Sequence, residues 1–583
     1  MSLSFQKSSR SRVLATGLLV LVVIFVGQLF NLQILQHAHY REEAEKEQVA
    51  RLTIPAKRGK VYAHDGQNLV PLVLNEPVYT AYADPHEVED PRKISEVIRR
   101  IAGGTVVKDF EDGLTSKQSR YTVLARQLTR KQAELLKKEE IAGVGLQESD
   151  RRVYPEGSLA AQLLGYVNSE GKGQYGIEEA ANDRLKGEDG LLQAVTDVRR
   201  IPLTIGREDI RKPAKNGDDL VLTIDRNIQA YAETALEVGL KRAGATKGSV
   251  IVMDPKTAAV KAMANFPTYN PEKYYEVEDY RLFQNNVVSE PYEAGSVIKA
   301  LTVGVGLDTG VVTPHTTFNN PGFVKVEDRI IRNVEEDPIS PAATMTDILQ
   351  YSLNTGVVFI MQQLGDGSYN RKARNVIYDY FTNHYMFGKK TGIEQAAESR
   401  GVVIPPTDVQ GNNVRYANMT FGQGMDLTMV QVAAAFSAAV NGGTYYKPHL
   451  IAGTRSADGA VKQETPKVVK QNVLKPEVST TLRDMIYRAR QAGVLGGNDR
   501  GYFVGGKTGT SEIIDPATGR YTDANSIGSY VGFGGDTEPK YVIMVQVKDS
   551  KLPGYAGTTA AGPIFTDISN WMIDYMKLKA RGN

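Results

Sequence analysis

The chain contains no cysteine, which excludes disulfides, thiol nucleophiles and thiolate metal sites. Tryptophan occurs once, and the seven histidines are His37, His39, His64, His86, His315, His384 and His449. None pairs with another at the spacing of a metal-binding helix, so no metal and no cofactor is expected. An excess of one charge is also missing: 69 basic residues face 67 acidic ones. That balance gives no reason to expect nucleic acid as a partner. Neither a low-complexity tract nor an internal repeat is visible. At 583 residues, however, the chain is too long for a single core, and at least two domains are expected.

One stretch lacks charge altogether. Between Arg12 and Arg41 there is no Asp, Glu, Lys or Arg, and Val13 to Gly27 is almost wholly apolar. With Leu29, Phe30, Leu32, Ile34 and Leu35 the segment is long enough to cross a bilayer as one helix. A cleaved signal would need a small-x-small site soon after it, and Gln28-Leu29-Phe30-Asn31-Leu32 offers none. Residues 13–35 are therefore expected to be an uncleaved transmembrane anchor. Lys7, Arg10 and Arg12 precede it, which places residues 1–12 in the cytoplasm and the rest outside an inner or plasma membrane.

Beyond a polar helical stalk at 36–50, short strands flank the Asp65-Gly66 turn, and helical patterns cover Lys93–Ala102 and Thr129–Glu140. Asp218–Asp225 reads as a strand ending in a helix cap, and Asn227–Arg242 as a helix closed by Ala243-Gly244. The domain boundary is placed near Ala245. After it, Gly248–Asp254 and Ala258–Ala264 form a hairpin, followed by helical segments at Lys299–Leu307, Met345–Gln363 and Leu427–Val440. Three strands close the pattern at Tyr502–Thr510, Ser526–Gly534 and Lys540–Val547, ahead of a last helix at Pro563–Leu578. The class is α+β: an anchor helix, an elongated β-rich pedestal over 36–245, and a domain over 246–583. The second domain is expected to hold a five-stranded antiparallel sheet with helices on both faces.

Ser296 and Lys299 share one turn at the start of the apolar run Ala300 to Leu307. A helix start offers free N–H groups for a developing oxyanion, and a desolvated lysine can act as base. The pattern S-x-x-K is cheap, and recurs at Ser4/Lys7 and Ser169/Lys172. Two further segments raise its weight. Ser352-Leu353-Asn354 supplies a hydroxyl and an amide, and Lys507-Thr508-Gly509-Thr510 supplies a cation and hydroxyls on a glycine-flanked strand. Together these match the S-x-x-K, S-x-N and K-T-G set of acyl-transferring serine enzymes. Ser368-Tyr369-Asn370 and Lys390-Thr391-Gly392 repeat the second and third parts, but both read as loops.

With Arg152-x-Tyr154-Pro155, Gly176-Ile177-Glu178, Thr223-Ile224-Asp225 and Phe421-Gly422-Gln423-Gly424 added, the chain resembles the class B penicillin-binding proteins from anchor to C-terminus. The likeness is strongest to the cell-division branch. It implies a peptidoglycan D,D-transpeptidase that cross-links stem peptides through a serine acyl-enzyme and releases D-alanine. Ser296, Lys299, Ser352, Asn354 and Lys507 would be catalytic, and Thr508, Gly509 and Thr510 would bind substrate. It also implies a dimerisation-type pedestal, covalent inhibition by β-lactams, and division proteins as partners, among them a polytopic lipid II-polymerising glycosyltransferase.

Ala294 departs from the family, which usually has proline before Gly-Ser, and a looser approach to Ser296 is the expectation. Ala63-His64 replaces the pedestal's usual Asp-Arg. A class A β-lactamase would need a Glu-x-x-Leu-Asn segment between Asn354 and Lys507, and none exists. Carboxypeptidase side activity, an elongation-specific paralogue and an idle envelope scaffold are the remaining alternatives, the last opposed by the intact set Ser296, Lys299, Ser352, Asn354 and Lys507.

Overall fold

A computed structural model describes residues 9–40, 49–116, 118–195, 210–333, 341–495, 501–514 and 521–580. The Ser4/Lys7 repeat, most of the stalk and residues 334–340 lie outside them. Helix α1, Ser9–Phe30, continues as one wider turn over Asn31–Leu35. Arg12–Leu35 is the one described segment long and apolar enough to cross a membrane. The same compact unit, Met1–Arg58 with Lys186–Gly217, holds a small sheet in which Gly190–Val195 pairs with Val49–Ile54 and with Ile210–Lys212.

The second unit comprises Gly59–Leu185 and Asp218–Asn583. Its first sheet contains β1 (Val61–Asp65), β2 (Asn68–Ala83), β3 (Thr122–Leu128), β4 (Val144–Val153) and β5 (Asp219–Asp225). Two strands from far along the chain, Ile451–Arg455 and Val461–Gln463, complete it beside β5. Residues on both sides of Ala245 thus share one sheet. Ala81, Leu124 and Leu128 form a separate small core with Ile94 and Ile98 of the helix Pro91–Ala102. Arg152 and Glu178 meet at 2.8 Å with both side chains almost fully buried, and Asn75 accepts a second bond from Arg152 at 2.6 Å. Breaking such a pair from one side typically costs about 3–5 kcal/mol, so Arg152 and Glu178 have a structural task.

Helix α2 (Arg226–Ala243) leads into β6 (Lys247–Met253) and β7 (Val260–Phe266). Strands β8 (Phe503–Ile514), β9 (Tyr521–Gly535) and β10 (Pro539–Lys548) complete an antiparallel five-stranded sheet in the order β7-β6-β10-β9-β8. Side chains alternate across it. Val542 and Met544 of central β10 enter the front core, while Ile543, Val545 and Val547 enter the back core with α2 and the C-terminal helix Gly562–Tyr575. Each fully buried aliphatic side chain of this kind contributes roughly 1.5–3 kcal/mol. On the front lie α3 (Lys299–Thr309), α4 (Met345–Gln350), α5 (Asn354–Leu364) and α6 (Met429–Val440).

One expectation fails here in an informative way. Residues 345–363 read as a single helix, but α4 ends at Gln350 and α5 begins at Asn354. The break is Ser352, which takes the left-handed conformation at φ 58°.

Candidate active site

Ser296 lies in one tight turn, Gly295–Ile298, that runs directly into α3. The turn is wound more tightly than the helix expected there. Gly295, at φ 65°, makes the entry possible: a Cβ on it would sit 2.8 Å from the Thr510 carbonyl oxygen. From Ala294 to Ala300 every residue is buried except Ser296, which stays partly open. The turn is held by its own backbone. Tyr292 and Leu427 exchange N–H···O bonds of 3.0 and 2.9 Å, and the Gly295 N–H donates to the Gly422 carbonyl at 3.0 Å. The Gly424 N–H donates to the Glu293 carboxylate at 2.6 Å.

Lys299 is 1% exposed. Its Nζ donates to the Ser352 carbonyl and, at 3.1 Å, to Ser352 Oγ, and is turned to Ser352 rather than to Ser296. No carboxylate pairs with it among the described residues. Burial, reinforced by the charge of Lys507, pushes its pKa well below the ordinary lysine value. A neutral amine in that place is a base. The left-handed conformation of Ser352 costs about 1–3 kcal/mol for a residue with a side chain, and it is found where the hydroxyl meets Lys299.

Asn354 opens α5, two residues on. Its Nδ2 donates to the Arg332 carbonyl at 2.8 Å, which leaves Oδ1 to accept an amide N–H. Behind it is a net that sequence reading missed. The Thr355 N–H donates to Asn333 Oδ1 at 3.0 Å, and Thr355 Oγ1 and Asn333 Nδ2 both donate to Asn320 Oδ1 at 2.8 Å. The one available signal, Asn319-Asn320-Pro321-Gly322, looks like any turn.

Lys507 sits on edge strand β8, 3% exposed, with Nζ donating to the carbonyl and hydroxyl of Thr508 at 3.2 Å each. Burial pushes its pKa down to about 7. Thr508 and Thr510, two apart on one side of the strand, are partly open while Phe503 to Lys507, Gly509 and Ser511 are buried. Thr510 Oγ1 accepts from the Gly557 N–H at 3.3 Å, so its own O–H is left to donate elsewhere. A Cβ on Gly509 would approach the Ala294 carbonyl to 2.8 Å. Backbone contact therefore joins β8 to the Ser296 turn, Nζ bonding joins Lys299 to Ser352, and the chain itself joins Ser352 to Asn354.

Residues 248–570 match the penicillin binding protein transpeptidase domain, and residues 53–222 match the penicillin-binding protein dimerisation domain. The chain is 28% identical to penicillin-binding protein PbpB of Mycolicibacterium smegmatis, over 97% of its own length and 90% of the relative's. It is 28% identical to stage V sporulation protein D of Bacillus subtilis, over 98% and 86% of the two lengths. It is 25% identical to the peptidoglycan D,D-transpeptidase FtsI homolog of Mesostigma viride, over 95% and 94%. In fold it is similar to penicillin binding protein 2X from Streptococcus thermophilus, with a TM-score of 0.72 at 23% identity, covering 91% of this chain and 80% of that one. Penicillin binding protein 3 from Mycobacterium tuberculosis, complexed with aztreonam, gives 0.68 at 24% identity, covering 91% and 100%.

Proposed function

This chain belongs to the class B penicillin-binding proteins, and on that premise we propose that Ser296 is the acyl-forming nucleophile of a peptidoglycan D,D-transpeptidase working in septal wall synthesis. The observation that carries the reading is the buried, unpaired Lys299, bonded to a strained Ser352 one turn from an open serine. Neutral Lys299 takes the proton of Ser296, whose Oγ attacks the carbonyl of the penultimate D-alanine. The N–H groups of Ser296 and Thr510 receive the oxyanion; loss of one such donor costs about 3 kcal/mol of barrier. Lys507, Thr508 and Thr510 hold the terminal carboxylate along the backbone of Gly509, and Asn354 Oδ1 holds a donor amide. The C–N bond breaks as Ser352 relays the proton to the departing D-alanine amine. An acceptor amine then attacks the ester, the new C–N bond forms, the C–Oγ bond breaks, and the amine's proton returns to Ser296. β-Lactams stop the cycle at the ester.

The domain limits proposed are 1–12 for a cytoplasmic tail, 13–35 for a single-pass anchor, 36–245 for the pedestal and 246–583 for an extracytoplasmic transpeptidase domain. Division proteins, including a polytopic lipid II-polymerising glycosyltransferase, are the proposed partners. The likeness to a protein named FtsI homolog supports the septal side. A fluorescent fusion in growing cells tests it: a band at the division plane is expected, and uniform labelling of the lateral wall would assign the chain to elongation instead.

A further inference from the structure

Among the described residues the strands Phe323–Val326 and Arg329–Arg332 pair only with each other, as a hairpin against the front of the domain. Directly opposite residues of an antiparallel pair share a face. Ile331 and Val326 turn inward, at 8% and 0% exposure. Phe323 faces Arg332 and Lys325 faces Ile330, and all four are exposed. Phe323 and Ile330 remain 46% and 53% open, and the Arg332 guanidinium lies 5.7 Å from the centre of the Phe323 ring. Among the described residues neither Lys325 nor Arg332 has a carboxylate partner. The acids of the hairpin are at its tip, where Glu327 accepts from Asn413 Nδ2 at 2.8 Å and Asp328 lies 3.7 Å from Arg329.

A solvated hairpin is the common reading of such a surface. Its position argues for more. The Arg332 carbonyl is the acceptor that orients Asn354, and Asn333 receives the N–H of Thr355, so the strand ends at the start of α5. The donor's carboxylate belongs at Lys507, on β8. An incoming amine retraces the path of the leaving one and uses the same proton relay, Ser352. The acceptor therefore approaches on the side of Ser352 and Asn354, where the hairpin stands.

We propose that the outer face of this hairpin, formed by Phe323, Lys325, Ile330 and Arg332, docks the acceptor stem peptide. The two cations pair with the carboxylates of that anionic peptide, and Phe323 and Ile330 pack on its alanyl methyl groups. The proposal rests on the transpeptidase reading. Its test is aminolysis of an acyl-D-Ala-D-Ala donor by two synthetic acceptors, a stem peptide with a free side-chain amine and free carboxylates, and the same peptide with its carboxylates amidated. In Lys325→Glu, kcat/KM for the anionic acceptor falls about tenfold, the scale of a reversed charge at a docking surface, while the amidated acceptor changes less than about twofold. Equal losses on both acceptors, or none on either, overturn the proposal. Should the variant fail to fold, salt decides on the wild type: aminolysis by the anionic acceptor alone is expected to slow with rising sodium chloride, and equal slowing of both, or of neither, overturns it. A wild type that releases no D-alanine from the donor, with or without acceptor, would instead overturn the transpeptidase reading itself.

Discussion

Lys-Thr-Gly occurs at 390–392 and again at 507–509, and the two copies differ in what fills them. In the first, the chain supplies its own carboxylate: the Thr391 N–H and Oγ1 donate to Glu398 Oε1 at 2.6 Å, and the Gly392 N–H donates to Oε2 at 3.0 Å. Lys390 stays exposed there, and Glu398 is 8% exposed. In the second the lysine is buried and its Nζ reaches Thr508 alone, with no carboxylate partner among the described residues. The same three residues thus hold a carboxylate of the chain in the loop, and on strand β8 they hold none among the described residues. The first place is filled by folding; at the second, the function proposed above puts the terminal carboxylate of the donor.

The largest expected effect separates the two lysines. Lys507→Ala lowers kcat/KM for a donor with a free terminal carboxylate by about a hundredfold, within the 2–5 kcal/mol of a truncated buried charge contact. Lys390→Ala stays within about twofold. Release of D-alanine from a synthetic acyl-D-Ala-D-Ala peptide measures both, and equal losses would erase the distinction.

Next comes pH. A bound carboxylate favours the ammonium form of Lys507, whose pKa in the free site is about 7. KM for that donor is therefore expected to rise above pH 7, by up to about tenfold per unit, and to be flat just below it. Stability runs the other way. The unfolded lysine, at 10.5, binds more protons than the folded one between pH 7 and 10.5, so this group makes the free protein more stable as pH rises through that window. Lys507→Met should flatten both profiles; a KM slope that survives the substitution assigns the titration to another group.

The closed copy is broken by Glu398→Ala. Three donors lose their acceptor, at a cost of about 1–3 kcal/mol, read as a lower Tm with D-alanine release per folded molecule unchanged. An unchanged Tm would mean that Glu398 is not what holds the loop. The smallest effect concerns the turn against which the open copy packs. Ala294, at φ −71°, already has a proline-compatible backbone. Ala294→Pro should raise the acylation rate by a fluorescent penicillin roughly twofold to fivefold, the scale of removing one residue's freedom. An identical rate would show that the Gly422 and Gly424 contacts already hold the turn.

Much of this arrangement is legible in the sequence, because short apolar runs bounded by turn residues mark β6, β7 and β10 of the main sheet and local turn chemistry separates Lys507 from Lys390. The break at Ser352 is not. Met345, Ile348, Leu349, Leu353 and Val357 keep helical spacing across it, and a serine carries no mark of a left-handed conformation. Equally hidden are the short strands Ile451–Arg455 and Val461–Gln463, which pair with each other while the first also pairs with β5, more than two hundred residues earlier. The net of Asn320, Asn333 and Thr355 and the filling of Thr391 by Glu398 are tertiary contacts that spacing does not encode.

Mass spectrometry of the protein after reaction with a penicillin tests the central claim most directly. The wild type should gain one penicilloyl group on the peptide containing Ser296, and Ser296→Ala should gain none. A wild type that stays unmodified, or a Ser296→Ala variant that still carries the adduct, would contradict the account.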